Sequence, residues 1–540
     1  MYALISMLVQ LIIDTSASWA RMFVALALSV LFSLVVGIYA ARHKVAERLI
    51  LPVIDILQTL PILAFFPFVI FIVILLIPSY WGVNAAVIFL IFTSMAWNMA
   101  FGVYEAIKTM PAAFNELSRL YNLTMFQRLT KIYIPASLPR LIEQSVLSWS
   151  IGLFYLVTSE IFSTGNANYS VKYGIGIALT NLALSTAPGH LLYYVSGILV
   201  FIAFVVATRF LFFMPLERYA TRYMRQASAT PQKSNFKGLT GRITRPMQGI
   251  RVFRRISALR KEMAVSIRRT VHPEAAAIRH GTQTVGKQGR VYPGRLKYLY
   301  TAVAVAVVLA LLYMAHVITP AIVSAEYQTL VAMFATFARV WLTFLLILAV
   351  SVPVCVYLVF IARNSNKYRL LFQVLASIPA TILLPLIVSW TAGFPARGEI
   401  VAFIVFFLSG LWYIIFSVMA STRTLPSSIL EVKRIFNVNG KKAWKYIYLQ
   451  AILPGLITGS VTAIAAEWNA SIVAEYFTAS SGAVLTQVGT GLGKFLDLAL
   501  SSGNLTIMAV GLINFVAIIL IINTFVWKRL YGRISKIYGE

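Results

Sequence analysis

Long apolar segments alternate with short polar connections along most of the chain. A helix needs roughly 20 consecutive apolar residues to cross a hydrocarbon layer about 30 Å thick. Eleven segments meet that requirement with few or no internal charges, and each is expected to form a membrane-spanning helix. These segments are approximately 22–41, 52–77, 83–104, 141–162, 191–214, 299–318, 340–361, 370–390, 400–420, 452–477 and 505–527.

The composition agrees with this pattern. Of the 540 residues, 59% are apolar and only 12% are charged, which is too much apolar surface for an ordinary soluble fold to bury. The pattern therefore predicts an all-α integral membrane protein with about eleven spans. Residues 1–13 are apolar but too short to span, and we expect them to lie at the membrane surface.

The positive charge is unevenly distributed between the predicted loops. Alternate connections hold most of the Lys and Arg, whereas the other connections hold only Lys172, Arg397 and Lys494, apart from Arg21 and Arg339 at span ends. Because basic loops stay in the cytoplasm, the basic set is expected to be cytoplasmic. That set includes Arg42, Lys44, Arg48, Lys108, Arg119, Arg128, Lys131, Arg140, Arg363, Lys367, Arg369, Arg423, Lys433, Arg434, Lys441, Lys442, Lys445, Lys528 and Arg529.

Residues 217–297 form a strongly basic segment with 19 Lys and Arg against 3 acidic residues. We predict a cytoplasmic linker that contacts anionic membrane lipids, with a short amphipathic helix around 250–267. Nucleic acid is not an expected partner, because no recognition motif or stacking aromatics accompany the charge. The predicted domains are a first half (1–216), the linker (217–297) and a second half (298–540).

The two halves repeat each other in sequence. Ser18 to Arg21 matches Thr336 to Arg339 at an offset of 318 residues, and Glu160 matches Glu475 at an offset of 315. The repeating core has five predicted spans, and the extra span 299–318 gives the second core the same orientation as the first. The sequence therefore predicts two parallel five-helix cores related by a pseudo-two-fold axis.

A long cytoplasmic loop follows the third span of each core, at 105–139 and 422–453. Loops of this length are uncommon and are often functional. Each contains a Glu, an Asn six residues later and an Ile ten residues after that. These residues are Glu116, Asn122 and Ile132 with Pro135 in the first loop, and Glu431, Asn437 and Ile447 in the second, where Gln450 replaces the proline.

This spacing resembles the cytoplasmic loop of ABC importer permeases, in which Glu-Ala-Ala is followed by Gly, Ile and Leu-Pro. Both halves have Asn at the glycine position, and Asn readily adopts the left-handed conformation that such a turn requires. The segments 60–67 and 378–385, each with two prolines, resemble the proline-containing span of the nitrate, sulfonate and taurine branch of the family. The resemblance implies a tandem fusion of two permease halves with a type I importer fold.

The resemblance also implies partners and roles. Two ATP-binding cassette subunits would bind the loops from the cytoplasm, and an extracytoplasmic binding protein would deliver the solute. The sequence contains no Walker motif, so separate subunits are expected to hydrolyse ATP and no catalytic residue or cofactor is expected. No metal site is expected either, because no His and Cys cluster suggests one. The residues implied in ATPase coupling are Glu116, Leu117, Asn122, Ile132, Pro135, Glu431, Val432, Asn437 and Ile447.

Three carboxylates lie within predicted spans. Charged groups in spans are costly and often functional, so Glu160, Glu475 and Glu467 are candidates for the solute pathway or its gate. The alternative for Glu160 and Glu475 is interfacial anchoring or a hydrogen bond between helices.

Two other functional classes remain open at this stage. An ion-gradient transporter or channel could also contain a parallel repeat, and a membrane scaffold could contain the same spans. The doubled loops favour the importer, since neither alternative requires them.

The charge asymmetry generates a prediction about topology. We expect an extracytoplasmic N-terminus, a cytoplasmic linker and a cytoplasmic C-terminus in the plasma membrane. Reporter fusions at the N-terminus and within 217–297 should therefore report opposite sides. The same reporter signal at both sites would refute the assignment.

Overall fold

The computed structural model describes residues 2–59, 65, 69, 72–73, 76–162, 171–185, 189–227, 320–358, 372, 375–421, 438, 440–478, 484–502, 504–527 and 529. Most of the predicted linker, the predicted span 299–318 and the loop 422–437 lie outside the described residues, as does nearly half of the predicted span 52–77.

The first half consists of helices. In chain order they are α1 (Tyr2–Arg42), α2 (Lys44–Thr59), α3 (Tyr80–Lys108), α4 (Ala112–Leu120), α5 (Met125–Arg128), α6 (Ile134–Phe162), α7 (Ile175–Leu184), α8 (His190–Thr208) and α9 (Met214–Ala227). Five-residue π turns join α5 to α6 at Leu129–Tyr133 and α8 to α9 at Arg209–Phe213.

The second half repeats this order. Its elements are α10 (Pro320–Val356), α11 (Ala380–Trp390), α12 (Arg397–Ser421), α13 (Gly440–Ala443), α14 (Leu449–Glu475), β1 (Tyr476–Thr478), β2 (Val484–Gln487), α15 (Leu492–Ser501) and α16 (Leu505–Ile522). The π turn Trp444–Tyr448 lies 315 residues after Leu129–Tyr133. The predicted repeat is therefore present in the order of elements and in the local irregularities of the helices.

Within the described residues, eight helical segments are long and apolar enough to cross a membrane. The shorter apolar helix α11 adds part of the predicted span 370–390. The all-α membrane fold is confirmed, with one small exception. The strands β1 and β2 form an antiparallel hairpin in which Tyr476 pairs with Gln487, directly after the predicted fourth core span.

The N-terminal segment differs from the prediction. Residues 2–13 are not a separate surface stub, because they form the beginning of the 41-residue helix α1. No helix-breaking residue separates them from the span, and Leu11 is almost fully buried against Gly197 and Leu179. At 1.5 Å per residue α1 is about 60 Å long, which is roughly twice the hydrocarbon thickness.

In the core of the first half, α3 packs between α1 and α6. Small polar residues of α1 lie at its contact with α3, where Ser29 and Ser33 donate to the carbonyls of Phe92 and Ala96 at 3.3 and 3.2 Å. Because lipid removes the hydrophobic driving force between helices, close packing through small residues is the usual way for membrane helices to associate.

The end of α3 is fixed to α2 by charged and hydroxyl groups. Lys108 Nζ and Tyr104 Oη each donate to Glu47 at 2.6 Å. The hydrogen bond from Lys108, followed by that from Tyr104, lowers the pKa of Glu47. This cluster connects the third core span to the start of α2 at the end that also begins the long loop.

Candidate functional site

A buried ion pair connects three segments of the first half. Glu160 is fully buried near the end of α6, and its Oε1 accepts from Arg21 Nη1 and from Ser18 Oγ, each at 2.6 Å. Its Oε2 accepts from the backbone N–H of Gly176 at 2.9 Å. The carboxylate therefore joins α6 to α1 and to the first turn of α7.

The guanidinium of Arg21 extends the cluster to α3. Arg21 Nε donates to Asn84 Oδ1 at 2.8 Å, and Nη2 donates to the Tyr173 carbonyl at 2.5 Å. Ser18 lies one turn before Arg21 on the same face of α1, and its Oγ also accepts from the Ile175 N–H at 3.0 Å. A buried charge pair is tolerated when additional hydrogen bonds satisfy both partners, as they do here.

Two glycines make room for the carboxylate. A Cβ on Gly174 would lie 2.7 Å from the Glu160 carboxyl carbon, and one on Gly176 would lie 2.7 Å from the Val157 carbonyl. The glycines also bring the N-terminus of α7 to Glu160. The free N–H groups and the dipole of a helix N-terminus favour a negative charge.

The second half contains the same arrangement. Glu475 is fully buried at the end of α14, and its Oε1 accepts from Thr336 Oγ1 at 2.7 Å and from Arg339 Nη1 at 2.9 Å. Its Oε2 accepts from the Gly493 N–H in α15 at 2.8 Å. We call these two sets, Ser18–Arg21–Glu160–Gly176 and Thr336–Arg339–Glu475–Gly493, the clamps.

The clamps differ in the second acidic group near each arginine. Arg339 also binds Glu399 of α12 through Nε and Nη2 at 2.5 and 2.8 Å. Asn84 occupies the matching position of the first half, and there Asp14 of α1 interacts electrostatically with Arg21. Each arginine thus lies near two carboxylates. The second carboxylate is Asp14 of α1 in the first half and Glu399 of α12 in the second half.

Sequence reasoning identified Glu160 and Glu475 but not their partners. Both arginines were visible as exceptions to the charge asymmetry at the ends of spans. Their alignment in the repeat, together with a buried Glu in each half, was the available signal. The geometry shows hydrogen bonds between helices, and a role for either Glu in the solute pathway stays a prediction.

The long loop of the first half places its predicted coupling residues on a short helix and a turn. Glu116 and Leu117 are exposed on α4, and Asn122 in the following turn has a φ of 45°. The left-handed turn predicted from Asn122 is confirmed. Ile132 and Pro135 are half-buried at the junction with α6.

The short helix after the turn is continuous with the membrane helix that follows it. A capping box formed by Thr124 and Gln127 begins α5, which continues through the π turn into α6. In the second loop Ile447 is half-buried in the matching π turn. Glu431, Val432 and Asn437 lie outside the described residues.

An apolar ridge covers the outer face of the first loop. Its side chains are between 45% and 76% exposed, although all are large and apolar. The ridge consists of Phe114, Leu117, Leu120, Tyr121, Met125 and Phe126. Exposed apolar patches of this kind mark sites of contact with another protein or with the membrane surface.

Comparisons with known proteins identify the family of the chain. Residues 33–214 and 362–532, more than half of the chain, match the family described as binding-protein-dependent transport system inner membrane component. The chain belongs to this family. The two matched segments also establish the tandem arrangement of the permease.

Three curated relatives show the range of the family. The permease is 28% identical over 190 residues to the glycine betaine transport system permease protein OpuAB of Bacillus subtilis, which covers 32% of this chain and 64% of the relative. The nitrate import permease protein NrtB of Leptolyngbya laminosa is 28% identical over 150 residues, covering 27% and 49%. The bicarbonate transport system permease protein CmpB of Synechococcus elongatus is 21% identical over 152 residues, covering 28% and 52%. The permease thus spans about half to two thirds of the length of each relative.

Glu467 lies deeper in the permease, on α14 against α12. It is fully buried, and neither carboxyl oxygen has a hydrogen-bond partner among the described residues. A Cβ on Gly410 would lie 2.7 Å from Glu467 Oε1. At the matching positions of the first half, 315 residues earlier, Met95 replaces Gly410 and Gly152 replaces Glu467. There the large side chain comes from α3 and packs on a glycine of α6, whereas in the second half it comes from α14 and packs on a glycine of α12.

The clamps generate a prediction about stability. Glu160→Gln leaves the buried guanidinium of Arg21 without its direct carboxylate partner, and breaking such a pair costs about 3–5 kcal/mol. Glu475→Gln should cost less, because Arg339 retains both hydrogen bonds to Glu399. Unfolding of the purified permease by titration with sodium dodecyl sulfate would measure both losses.

The control for this experiment is Glu143→Gln on the same helix α6. Glu143 pairs with Arg140 at 3.0 Å, and both side chains are about half exposed. Its loss is expected to cost less than about 1 kcal/mol. Equal losses for the Glu143 and Glu160 variants would show that the clamp does not stabilise the fold.

The pair Gly410 and Glu467, which corresponds to Met95 and Gly152 in the first half, generates a second prediction. Gly410→Met alone should overpack against Glu467 and lower the unfolding free energy by about 1–3 kcal/mol. The double variant Gly410→Met/Glu467→Gly recreates the first-half pair and should recover most of that loss. Additive effects in the double-mutant cycle would contradict the exchange.

The same double variant tests Glu467 as a pathway residue. If the carboxyl contacts the solute, a stable double variant should lose transport. Unchanged transport would limit Glu467 to a packing role.

Proposed function

We propose that this chain is the membrane-spanning permease of an ATP-driven solute importer, with two halves of the translocation pathway in one polypeptide. Separate ATPase subunits supply the energy. The observation that carries the proposal is the exposed apolar ridge on α4, its left-handed turn and α5. Large apolar side chains that are exposed on a loop mark a surface that another protein or the membrane covers, and the resemblance of this loop to the ATPase-docking loop of ABC importer permeases favours a protein.

The ridge is suited to transmit movement. Arg128 Nε donates to the Leu123 carbonyl at 2.8 Å, and the capping box at Thr124 and Gln127 fixes the beginning of α5. Because α5 continues into α6, a displacement of the ridge is passed to the helix that contains Glu160. Closure of an ATPase against the ridge would in this way move a membrane helix that is held at its far end by the clamp.

The partners follow from the repeat. Two loops of matching sequence support two ATPase subunits, one for each loop, with Glu431, Val432 and Asn437 acting as Glu116, Leu117 and Asn122 do. The residue ranges 1–216, 217–297 and 298–540 are proposed as the first half, the basic cytoplasmic linker and the second half. An extracytoplasmic binding protein is proposed to deliver the solute. The relatives are named for glycine betaine, nitrate and bicarbonate, so a small polar solute is proposed here.

Substitutions on the loop test the proposal. Leu120 is 76% exposed, so Leu120→Asp should leave stability unchanged while preventing capture of the ATPase. Glu116 is also exposed, so Glu116→Lys should not lower the stability by burying a charge. Both variants should assemble in the membrane and lose ATP-dependent uptake in proteoliposomes that contain the complete complex.

Asn122 provides a matched pair of variants. Asn122→Val should impair coupling, because a β-branched residue resists the positive φ of this turn, whereas Asn122→Gly should be tolerated. Pull-down of the ATPase together with uptake separates docking from coupling. Parental uptake by the Leu120, Glu116 and Asn122→Val variants would require the coupling role of the loop to be abandoned.

A further inference from the structure

A helix is interrupted inside the membrane at the contact between the two halves. Residues 375–376 are helical, residues 377–378 form a turn, and Pro379 is extended before α11 begins at Ala380. Pro379 provides no side-chain cap for α11. The N–H groups of Ala380 and Thr381 lack intrahelical acceptors because they open the helix, whereas the Ile382 N–H donates to the Pro379 carbonyl at 3.1 Å.

The predicted topology places the beginning of α11 at about the middle of the membrane. The other end of the helix is near Arg397, whose Nη2 donates to the Val388 carbonyl at 2.9 Å, and Arg397 belongs to the extracytoplasmic set of the loop charges. Eleven residues of helix extend about 16 Å, which is roughly half of a 30 Å hydrocarbon layer. Non-helical backbone at this depth is tolerated where it is buried in protein or lines a polar cavity.

Hydroxyl groups from both halves surround the interruption. Ser150 Oγ of α6 lies 3.3 Å from Ser377 Oγ, and Tyr194 Oη of α8 donates to the Ile382 carbonyl. Two helices of the first half therefore contact the beginning of α11.

Thr381 is the decisive residue. It is 1% exposed in the first turn of α11, and its Oγ1 has no hydrogen-bond partner among the described residues. A helical Thr usually bonds a carbonyl three or four residues earlier, and the side chains of a helix lean toward its N-terminus. An unsatisfied buried hydroxyl is costly, and here it belongs to the same first turn as the N–H groups of Ala380 and Thr381, which lack intrahelical acceptors.

We propose that the beginning of α11, with Thr381, Ser377 and Ser150, is a binding site for a small monovalent anion in the translocation pathway. The positive end of the helix dipole favours an anion and disfavours a cation, and the hydroxyls add neutral donors. As a step in import the site rests on the proposed function, whereas anion binding itself does not. Leu63 stands at the position of Thr381 in the sequence of the first half, so the pathway has this Thr in one half alone.

The experiment measures anion binding to the purified full-length chain in a neutral detergent. Chloride is the probe, its excess ³⁵Cl linewidth reports occupancy, and nitrate is the competitor. Thr381→Val and Ser150→Ala preserve the net charge, so chloride attracted by the basic residues is the same in every sample. Thr343→Val is the control, because Thr343 is also fully buried and lacks a partner in the described residues but lies within α10.

The parent and the Thr343 variant should show the same nitrate-displaceable broadening. Loss of one hydrogen bond to a charged ligand weakens binding by about tenfold or more, so Thr381→Val should remove most of the broadening and Ser150→Ala should reduce it. If the Thr381 variant does not fold, as judged by its thermal midpoint, the Ser150 variant decides. Parental broadening in the deciding variant, or an equal loss in the Thr343 variant, would overturn the site.

Failure of the site and failure of the proposed function give different results. The binding assay contains neither the ATPase nor a binding protein. ATP-dependent import of a solute by a complex whose Thr381 variant binds chloride normally would overturn the anion site alone. Loss of binding in that variant would support the site even if the reconstituted complex did not import.

Discussion

The fold depends on one buried arginine–glutamate pair in each half. Removing two charges from water costs several kcal/mol for each ion, and their attraction offsets this only with well-placed hydrogen bonds. That condition explains the residues around the pair. A hydroxyl at Ser18 or Thr336 and an N–H at Gly176 or Gly493 are directed at the carboxylate in both halves. The first core span, the end of the fourth and the helix that follows it are consequently held at one point.

Fusion of the two halves has allowed the surroundings of this pair to diverge. A dimer of identical chains would need the same residue at both matching positions. In this chain Asn84 of the first half corresponds to Glu399 of the second. The pair Met95 and Gly152 likewise corresponds to the pair Gly410 and Glu467. The second pair of changes compensate each other, because a large side chain packs on a glycine in both halves: Met95 on Gly152, and Glu467 on Gly410. The two halves therefore keep the same helix packing while differing in charge and polarity.

Local patterns were sufficient to predict much of the fold. Apolar length identified the spans, and Asn122 at the position of a conserved family glycine identified a left-handed turn. The contacts of Arg21 could not be predicted in this way, because Glu160 is 139 residues away and no local pattern relates the two. The offset of 315 residues that relates Glu160 to Glu475 does not extend to the glycines that follow the fourth span. Gly174 and Gly176 correspond to Gly491 and Gly493, not to Gly489 and Gly491, as the bonds to the two carboxylates show.

The helix α6 connects all the features that matter for movement. Its beginning continues from the ridge, Ser150 lies at the contact with Ser377 of the second half, and Glu160 near its end is held by the clamp. A rigid rod with one end fixed would move Ser150 whenever the ridge moved. Pro139 lies inside this helix before Ser150, and a proline removes a backbone hydrogen bond and permits a bend. If the ridge moves, the stiffness of α6 at Pro139 decides how much of that movement reaches the contact between the halves. Pro454 matches Pro139 in the sequence of the second half.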